Sequence, residues 1–157
     1  MAIFSLSCIW YLEPIRFMVR SETIENHNPT GTFKIRGGIN LMHHLASQGI
    51  SGVTTYSTGN HGSSVAASAR MFGLTATVVV PEGSNPLKIQ AIKDAGAELI
   101  EYGKDFEEAG QKVAQLVEER GLYFVHPANE PHLINGVATE FIEIIEKVPD
   151  LDVMIIP

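Results

Sequence analysis

A chain of 157 residues with 45% hydrophobic and 18% charged residues has the composition of a folded protein with a buried core, which excludes a disordered or fibrous chain. Eleven Lys and Arg against eighteen Asp and Glu leave a net charge of -7; with no basic stripe to offset that field, nucleic acid is not an expected partner. No apolar run reaches the length of a membrane span, and the single Cys8 has no partner for an internal disulfide, so a reducing, cytoplasmic setting is expected.

The first dozen residues, MAIFSLSCIWYL, are apolar but lack a basic leading segment and a small-residue cleavage site, so they predict a strand or core edge rather than a signal peptide. Met18 to Ile24 predicts a strand and Thr32 to Gln48 a helix. From residue 52 a short apolar run, a turn and a helical period recur four times, the pattern of βαβ units. The runs are Gly52 to Tyr56, Thr75 to Val80, Ala97 to Tyr102 and Leu122 to Val125. The second, TATVVV, is apolar without alternation, as in a parallel strand covered on both faces.

Between these strands, the helix from about His61 to Phe72 is small, apolar and predicted to be buried on most sides. Asn85 and Pro86 read as an N-cap and first-turn proline, with Leu87, Ile89 and Ile92 inward and Gly96 as the terminating glycine. Asp105 and Glu108 have capping-box spacing, and Phe106, Ala109, Val113, Leu116 and Val117 follow at helical intervals before Gly121. Leu133 to Glu146 predicts a long helix and Val153 to Ile156 a strand. The expected organisation is a compact parallel-sheet α/β unit over 52–130, flanked by 1–51 and 131–157 as parts of a second, larger and partial domain.

Two segments carry chemistry. In ENHNPTGTFKIRGG, Glu25 to Gly38, the Asn28-Pro29-Thr30-Gly31 turn delivers Phe33 and Lys34 onto the start of a helix. A lysine held beside an aromatic ring loses hydration, which suits its amine to act as nucleophile or base; composition alone supports this weakly and fits a solvated surface lysine better. In STGNHG, Ser57 to Gly62, successive backbone N–H groups at a strand's carboxyl end and a helix start form an anion-binding turn, or simply a helix cap.

PTGTFKIRGG and STGNHG, in that order and joined by VVPEGSNPLKIQAIKDAGAELIEYG and HPANEPHLINGVATEFIEII, resemble the threonine/serine dehydratase (ammonia-lyase) family of fold type II pyridoxal-phosphate enzymes, tryptophan synthase beta-like in fold, over residues 25 to 157. The resemblance implies that Lys34 holds pyridoxal 5'-phosphate as a Schiff base and is the base at the substrate α carbon. It further implies that Phe33 packs on the pyridine face and Asn60 bonds the ring hydroxyl. Ser57, Thr58, Gly59, Asn60 and His61 would grip the carboxylate of a small amino acid substrate. The implied reaction converts a β-hydroxy amino acid to a 2-oxo acid and ammonia.

The match has departures. Thr32 stands where the family usually has Ser, which keeps the hydroxyl. At Thr58 the family's racemases carry Ser and its biosynthetic dehydratases often Ala; Ser63 replaces the usual Gln after the second motif. The family's TPL turn survives only as Glu13-Pro14-Ile15, and Thr23 replaces a Lys common among relatives. Serine racemisation and cysteine synthase-like β-replacement therefore stay open as alternatives.

No metal is expected: His43 and His44 are adjacent and so point apart, and no acidic residue stands at ligand spacing. His27 reads as a residue of the site entrance, His126 and His132 as turn residues, and Glu140, Glu143 and Glu146 as the wet face of the last helix. The family's glycine-rich phosphate loop, and a later Ser or Cys that bonds the pyridine nitrogen, do not occur in this sequence. The chain is thus expected to be an amino-terminal portion that needs the carboxy-terminal part or self-association, and as isolated an inactive folding unit is a third alternative.

Overall fold

The structure, a computed structural model, describes residues 9–12, 15–18 and 25–154. The expected Glu13-Pro14-Ile15 turn and the stretch from 19 to 24, with Thr23, lie outside the described residues, apart from Ile15. Strand β1 (Ile9–Leu12) pairs antiparallel with β2 (Ile15–Met18), so Ile9 to Leu12 of the apolar leading segment, and Met18 of the predicted Met18 to Ile24 strand, are extended backbone. A short 3₁₀ turn, Glu25–His27, precedes helix α1 (Lys34–Ser47).

The block from residue 52 alternates β3 (Gly52–Tyr56), α2 (Asn60–Met71), β4 (Thr75–Val80), α3 (Pro86–Asp94), β5 (Glu98–Glu101), α4 (Phe106–Arg120) and β6 (Tyr123–Phe124), followed by α5 (Pro131–Lys147). Its four strands form one parallel sheet in the order β5-β4-β3-β6. From β3 the chain winds outward through β4 and β5, then returns to the far side of β3 as β6. The order therefore reverses between β3 and β6, and in open α/β sheets ligands bind at the carboxyl ends of the strands at that reversal.

Alternation between apolar strands and amphipathic helices requires both sheet faces to be covered. Leu41, Met42 and Leu45 of α1 and Val65 and Ala69 of α2 share one core cluster with Val53, Ala76, Val125 and Leu133. Ala109, Val113 and Leu116 of α4 cover Val79 from the other side, with Tyr56, Ile100 and Phe124 at the margin. Of TATVVV only Thr75 is exposed, as its unbroken apolar run requires.

Glycines set how closely the helices approach. A Cβ on Gly37 would lie 2.6 Å from the Leu133 carbonyl oxygen, and one on Gly136 would lie 2.5 Å from the Arg36 carbonyl oxygen. α1 and α5 thus meet backbone to backbone. Gly38 leaves the matching space for Ser64 and Ser68 of α2.

Several expectations need correction. Asn85 caps α3 through the Leu87 N–H, but Leu87 itself is 81% exposed. The first turn of α3 stands off the body, and only Ile92, one turn and more further on, is fully buried. Asp105 accepts the Glu107 and Glu108 N–H groups, whereas the Glu108 carboxylate reaches back to the Lys104 N–H rather than to that of Asp105. His132 is helical, within α5. Val153 and Met154 are not in a strand, since no partner strand lies beside them among the described residues; 155–157 fall outside those residues.

Candidate active site

The turn before α1 is built from its own polar groups. The Gly31 N–H donates to the Asn28 carbonyl at 2.7 Å with Gly31 at φ 68°, a left-handed position that favours glycine. The Asn28 amide donates to the Thr32 carbonyl at 3.3 Å and to the Glu25 carboxylate. Thr32 is buried, and its hydroxyl faces the Lys34 N–H at 3.4 Å, which supplies one of the acceptors that a helix start needs. Phe33, with αR backbone at the N-cap position, and Lys34, the first helical residue, are thereby placed at the amino end of α1.

The Lys34 amine lies 5.1 Å from the centre of the Phe33 ring, and that ring is 38% exposed. Among the described residues no carboxylate pairs with this amine and no hydrogen bond occupies it. The Lys34 carbonyl accepts the Ser64 hydroxyl of α2 at 2.7 Å, so the lysine turn and the helix following STGNHG are joined at their first turns.

Ser57, Thr58 and Gly59 form the link from β3 into α2, and Asn60, exposed, opens the helix. The Gly59 N–H faces the Ser57 hydroxyl at 3.2 Å. A Cβ built on Gly59 meets nothing within 4 Å; the backbone here borders open space that a ligand can approach closely. The replacement of Gln by Ser63 leaves the helix start intact, since the Ser63 N–H donates to the Gly59 carbonyl.

His61 points inward. The Thr55 hydroxyl donates to the Val125 carbonyl at 2.9 Å, and His61 Nε2 lies 3.1 Å from the same hydroxyl oxygen. A hydroxyl has one proton to give, so Nε2 carries the hydrogen in this contact. Burial pushes the imidazole down to about 4; the Lys34 and His126 charges push the same way, and the Val125 carbonyl opposes. His61 is therefore neutral at physiological pH, and its side chain ties the β3 end to the β6 end while its backbone stays at the turn.

Beside this turn sits the loop after β6. His126 Nδ1 accepts the Ala128 and Asn129 N–H groups at 3.0 and 2.9 Å, which makes His126 the turn residue expected of it. Glu130, buried, accepts the Tyr123 hydroxyl at 2.8 Å, and burial followed by that carboxylate pushes the phenol up to about 12.

The wet-face reading of α5 needs correction. Glu143 takes two hydrogen bonds from Arg36, at 2.7 and 3.0 Å, and its carboxyl is held below the usual range by that guanidinium. Glu140 is pushed up by burial and then by the Glu25 charge, although Arg36 opposes. The Arg36 to Glu143 pair spans 107 residues of chain, beyond any local spacing rule, so no signal in the sequence marks it. His27 is exposed at the end of the 3₁₀ turn, and the His44 ring stacks on that of His132 with centres 3.7 Å apart. Among the described residues no group of three His, Cys, Asp or Glu could hold a metal ion, and no helix is long and apolar enough to cross a membrane. A shallow hollow of about 510 Å³, lined by Arg70, Thr77, Glu98 and Arg120, lies at the opposite, amino ends of the strands, away from Lys34.

A lysine at one helix start, bonded through its carbonyl to the helix that follows a glycine turn at the reversal of a parallel sheet, places the chain among the α/β proteins. Residues 24–157 match the family described as pyridoxal-phosphate dependent enzyme, and the chain belongs to that family. Its fold is that of the fold type II members. It is 41% identical to the L-threonine ammonia-lyase of Thermotoga maritima over 135 residues, 85% of this chain and 34% of that one. It is also similar to the structure of processed threonine deaminase isoform 2 from Solanum lycopersicum (TM-score 0.78, 31% identity, 87% of this chain and 37% of that one). The structure of maize serine racemase is comparably near (TM-score 0.77, 33% identity, 82% and 39%). The chain thus spans about a third of the length of the relatives it matches.

The family's cofactor is pyridoxal phosphate, and the residues present fit it. Among the described residues Lys34 offers an amine with no carboxylate partner, Gly59 an uncovered backbone, Phe33 a half-open ring and Asn60 an exposed amide.

Proposed function

We propose that the protein of which this chain forms a part is a pyridoxal-phosphate-dependent ammonia-lyase that deaminates a small β-hydroxy amino acid, threonine or serine, in the cytoplasm. The observation that carries the reading is the junction of the two motifs: Lys34 is pinned through its carbonyl to Ser64, one turn beyond the open Gly59 backbone. The names of the threonine ammonia-lyase and threonine deaminase relatives support the substrate class.

In this reading Lys34 Nζ would hold the cofactor, the Phe33 ring would lie against it and the Asn60 amide would meet its ring hydroxyl. When bound, pyridoxal phosphate would supply an electron-poor ring that stabilises negative charge at the substrate α carbon. The turn from Ser57 to His61, at the positive end of α2, would orient the substrate carboxylate through the Ser57 hydroxyl and the backbone N–H groups of Thr58 to His61. Lys34 Nζ would be the base that takes the α proton. The overall reaction would convert the β-hydroxy amino acid to a 2-oxo acid and ammonia.

The flanks 1–51 and 131–157 belong to a larger domain and 52–130 to a smaller one; the close contact of Gly37 with Gly136 supports the pairing of the flanks. A homo-oligomer, or the remaining two-thirds of the relatives' length, would complete the cofactor's phosphate site. The maize serine racemase likeness favours a second reading, with the Thr58 hydroxyl as a proton carrier on the opposite face. Assay of the full-length protein separates them: ammonia and 2-oxo acid from L-threonine support the lyase, D-serine from L-serine the racemase. Lys34→Ala is expected to abolish both turnover and the visible absorbance of bound cofactor; retained ammonia release would refute the assignment of Lys34.

A further inference from the structure

We infer that Arg36 is the positioning residue of the lysine turn: its guanidinium clamps the 25–32 segment to α5 and thereby fixes where Lys34 starts its helix. The inference rests on the reading of Lys34 as the reactive amine, but its physical content is separate from it.

Arg36 spends its whole donor set on this task. Nε and Nη2 donate to the two oxygens of Glu25, at 3.0 and 2.9 Å. Nη1 and Nη2 donate to the two oxygens of Glu143, at 2.7 and 3.0 Å, and Nη1 also reaches the Thr139 hydroxyl at 3.2 Å. A guanidinium has five N–H groups in a fixed planar fork; two carboxylates met side-on take four and the Thr139 hydroxyl takes the fifth, a geometry an ammonium cannot reproduce. Exposed ion pairs are weak singly. Here the Glu25 and Arg36 side chains are only 14% and 22% exposed, and one cation holds two anions from different elements.

From Glu25 the connection runs on to the turn. Its carboxylate accepts the Asn28 amide, that amide also donates to the Thr32 carbonyl, and the Thr32 hydroxyl meets the Lys34 N–H. Each link is a single hydrogen bond on a segment whose regular structure is the 3₁₀ turn Glu25–His27 alone, so the turn's position depends on its anchor. Removing the guanidinium leaves Glu25, Glu140 and Glu143 close together, with Lys147, beside Glu143, the cation that remains near them among the described residues. The raised Glu140 carboxyl shows that this neighbourhood already disfavours further negative charge. Release of the turn from α5 is the direct relief.

Site-resolved amide hydrogen exchange on the full chain tests the clamp. Arg36→Gln should speed exchange at Asn28 and Gly31 by about tenfold or more, with the amides of β4 unchanged. Arg36→Lys should resemble Arg36→Gln, because charge without the fork cannot hold both carboxylates. Glu25→Gln, which leaves the Arg36 to Glu143 pair intact, should loosen the same two amides and serves if the Arg36 variants fail to fold. A second readout is the ratio of Lys34 to Lys88 modified by pyridoxal and borohydride, mapped by peptide mass. The ratio should fall about threefold or more in each variant. Exchange that rises uniformly over the chain, or Arg36→Lys behaving as wild type, overturns the inference. A wild-type ratio near one, with the local exchange change still present, overturns only the assignment of Lys34 and leaves the clamp standing.

Discussion

Ser64 donates its hydroxyl to the carbonyl of Lys34 at 2.7 Å, which ties the first turn of one motif's helix to the first turn of the other's. Thirty residues of chain separate the two, and this bond joins them beside the close contact of Gly38 with α2. Ser64→Ala is expected to cost about 1 kcal/mol in urea unfolding of the chain. In the full-length protein it should weaken cofactor binding more than an exposed control such as Ser47→Ala. Equal cofactor affinity in the two variants would remove Ser64 from the site's framework.

The neighbouring Gly38 has no room for a methyl group. A Cβ there would sit 2.6 Å from the Ser64 hydroxyl oxygen, with the backbone of Ser64 close behind. Gly38→Ala should destabilise the chain by about 1–3 kcal/mol through overpacking. An unchanged unfolding midpoint would show that α1 slides along α2 at little cost.

Gly59 provides the opposite case. Its φ is -140°, outside the left-handed region, and an added Cβ contacts nothing within 4 Å. Gly59→Ala should therefore leave the melting temperature within a degree or so of wild type, since surface changes without a structural role cost at most about 0.5 kcal/mol. In the full-length protein the same methyl occupies the ligand's space, and substrate or cofactor affinity should drop. Full affinity in a normally folded variant would place the ligand elsewhere.

His61 gives the chain a pH dependence with a definite sign. Burial lowers its imidazole from 6.5 to about 4, so as pH falls the unfolded chain takes up this proton before the folded one does. The contribution is complete above pH 6.5 and is lost on descent toward 4, amounting to about 3 kcal/mol if the whole shift is realised. Urea midpoints at about pH 7 and pH 4.5 read the effect. His61→Gln keeps a donor for the Thr55 oxygen but has no proton to gain, so its midpoint should move less between the two. Equal movement in both proteins would assign the acid sensitivity to other groups.

His126 holds its loop through Nδ1, which accepts two backbone N–H groups. His126→Ala should cost about 1 kcal/mol, as loss of a helix cap does. His126→Asn, whose side-chain oxygen can accept similar bonds, should recover part of it. If the two variants unfold alike, the loop owes its shape to Pro127 and the Glu130 to Tyr123 contact instead.

Much of the fold was legible in the sequence because strand and helix signals there are local. Gly52 to Tyr56 and Thr75 to Val80 read as strands to the residue, since unbroken β-branched and apolar runs bounded by glycine have one reading. Asn85-Pro86 and Asp105 marked helix starts through caps that act within three residues. Leu87 misled because periodicity gives the face of a helix but not where its partner surface stops. Glu143 misled for the complementary reason: an acidic residue on a final helix looks solvated until the fold brings Arg36 against it. The motifs around Lys34 and Gly59 were visible as turns, but their approach depends on Gly37, Gly38 and Gly136, whose role appears only when three helices meet.

The side-by-side placement of β3 and β6 separates two tasks that a single loop would have to combine. One side of the boundary between the two strands is the glycine turn, whose helix is bound to the lysine helix through Ser64. The other, from His126 to Glu130, hangs from its own histidine and does not share that bond. Replacements on the second side can therefore reshape that edge while the lysine turn stays where it is.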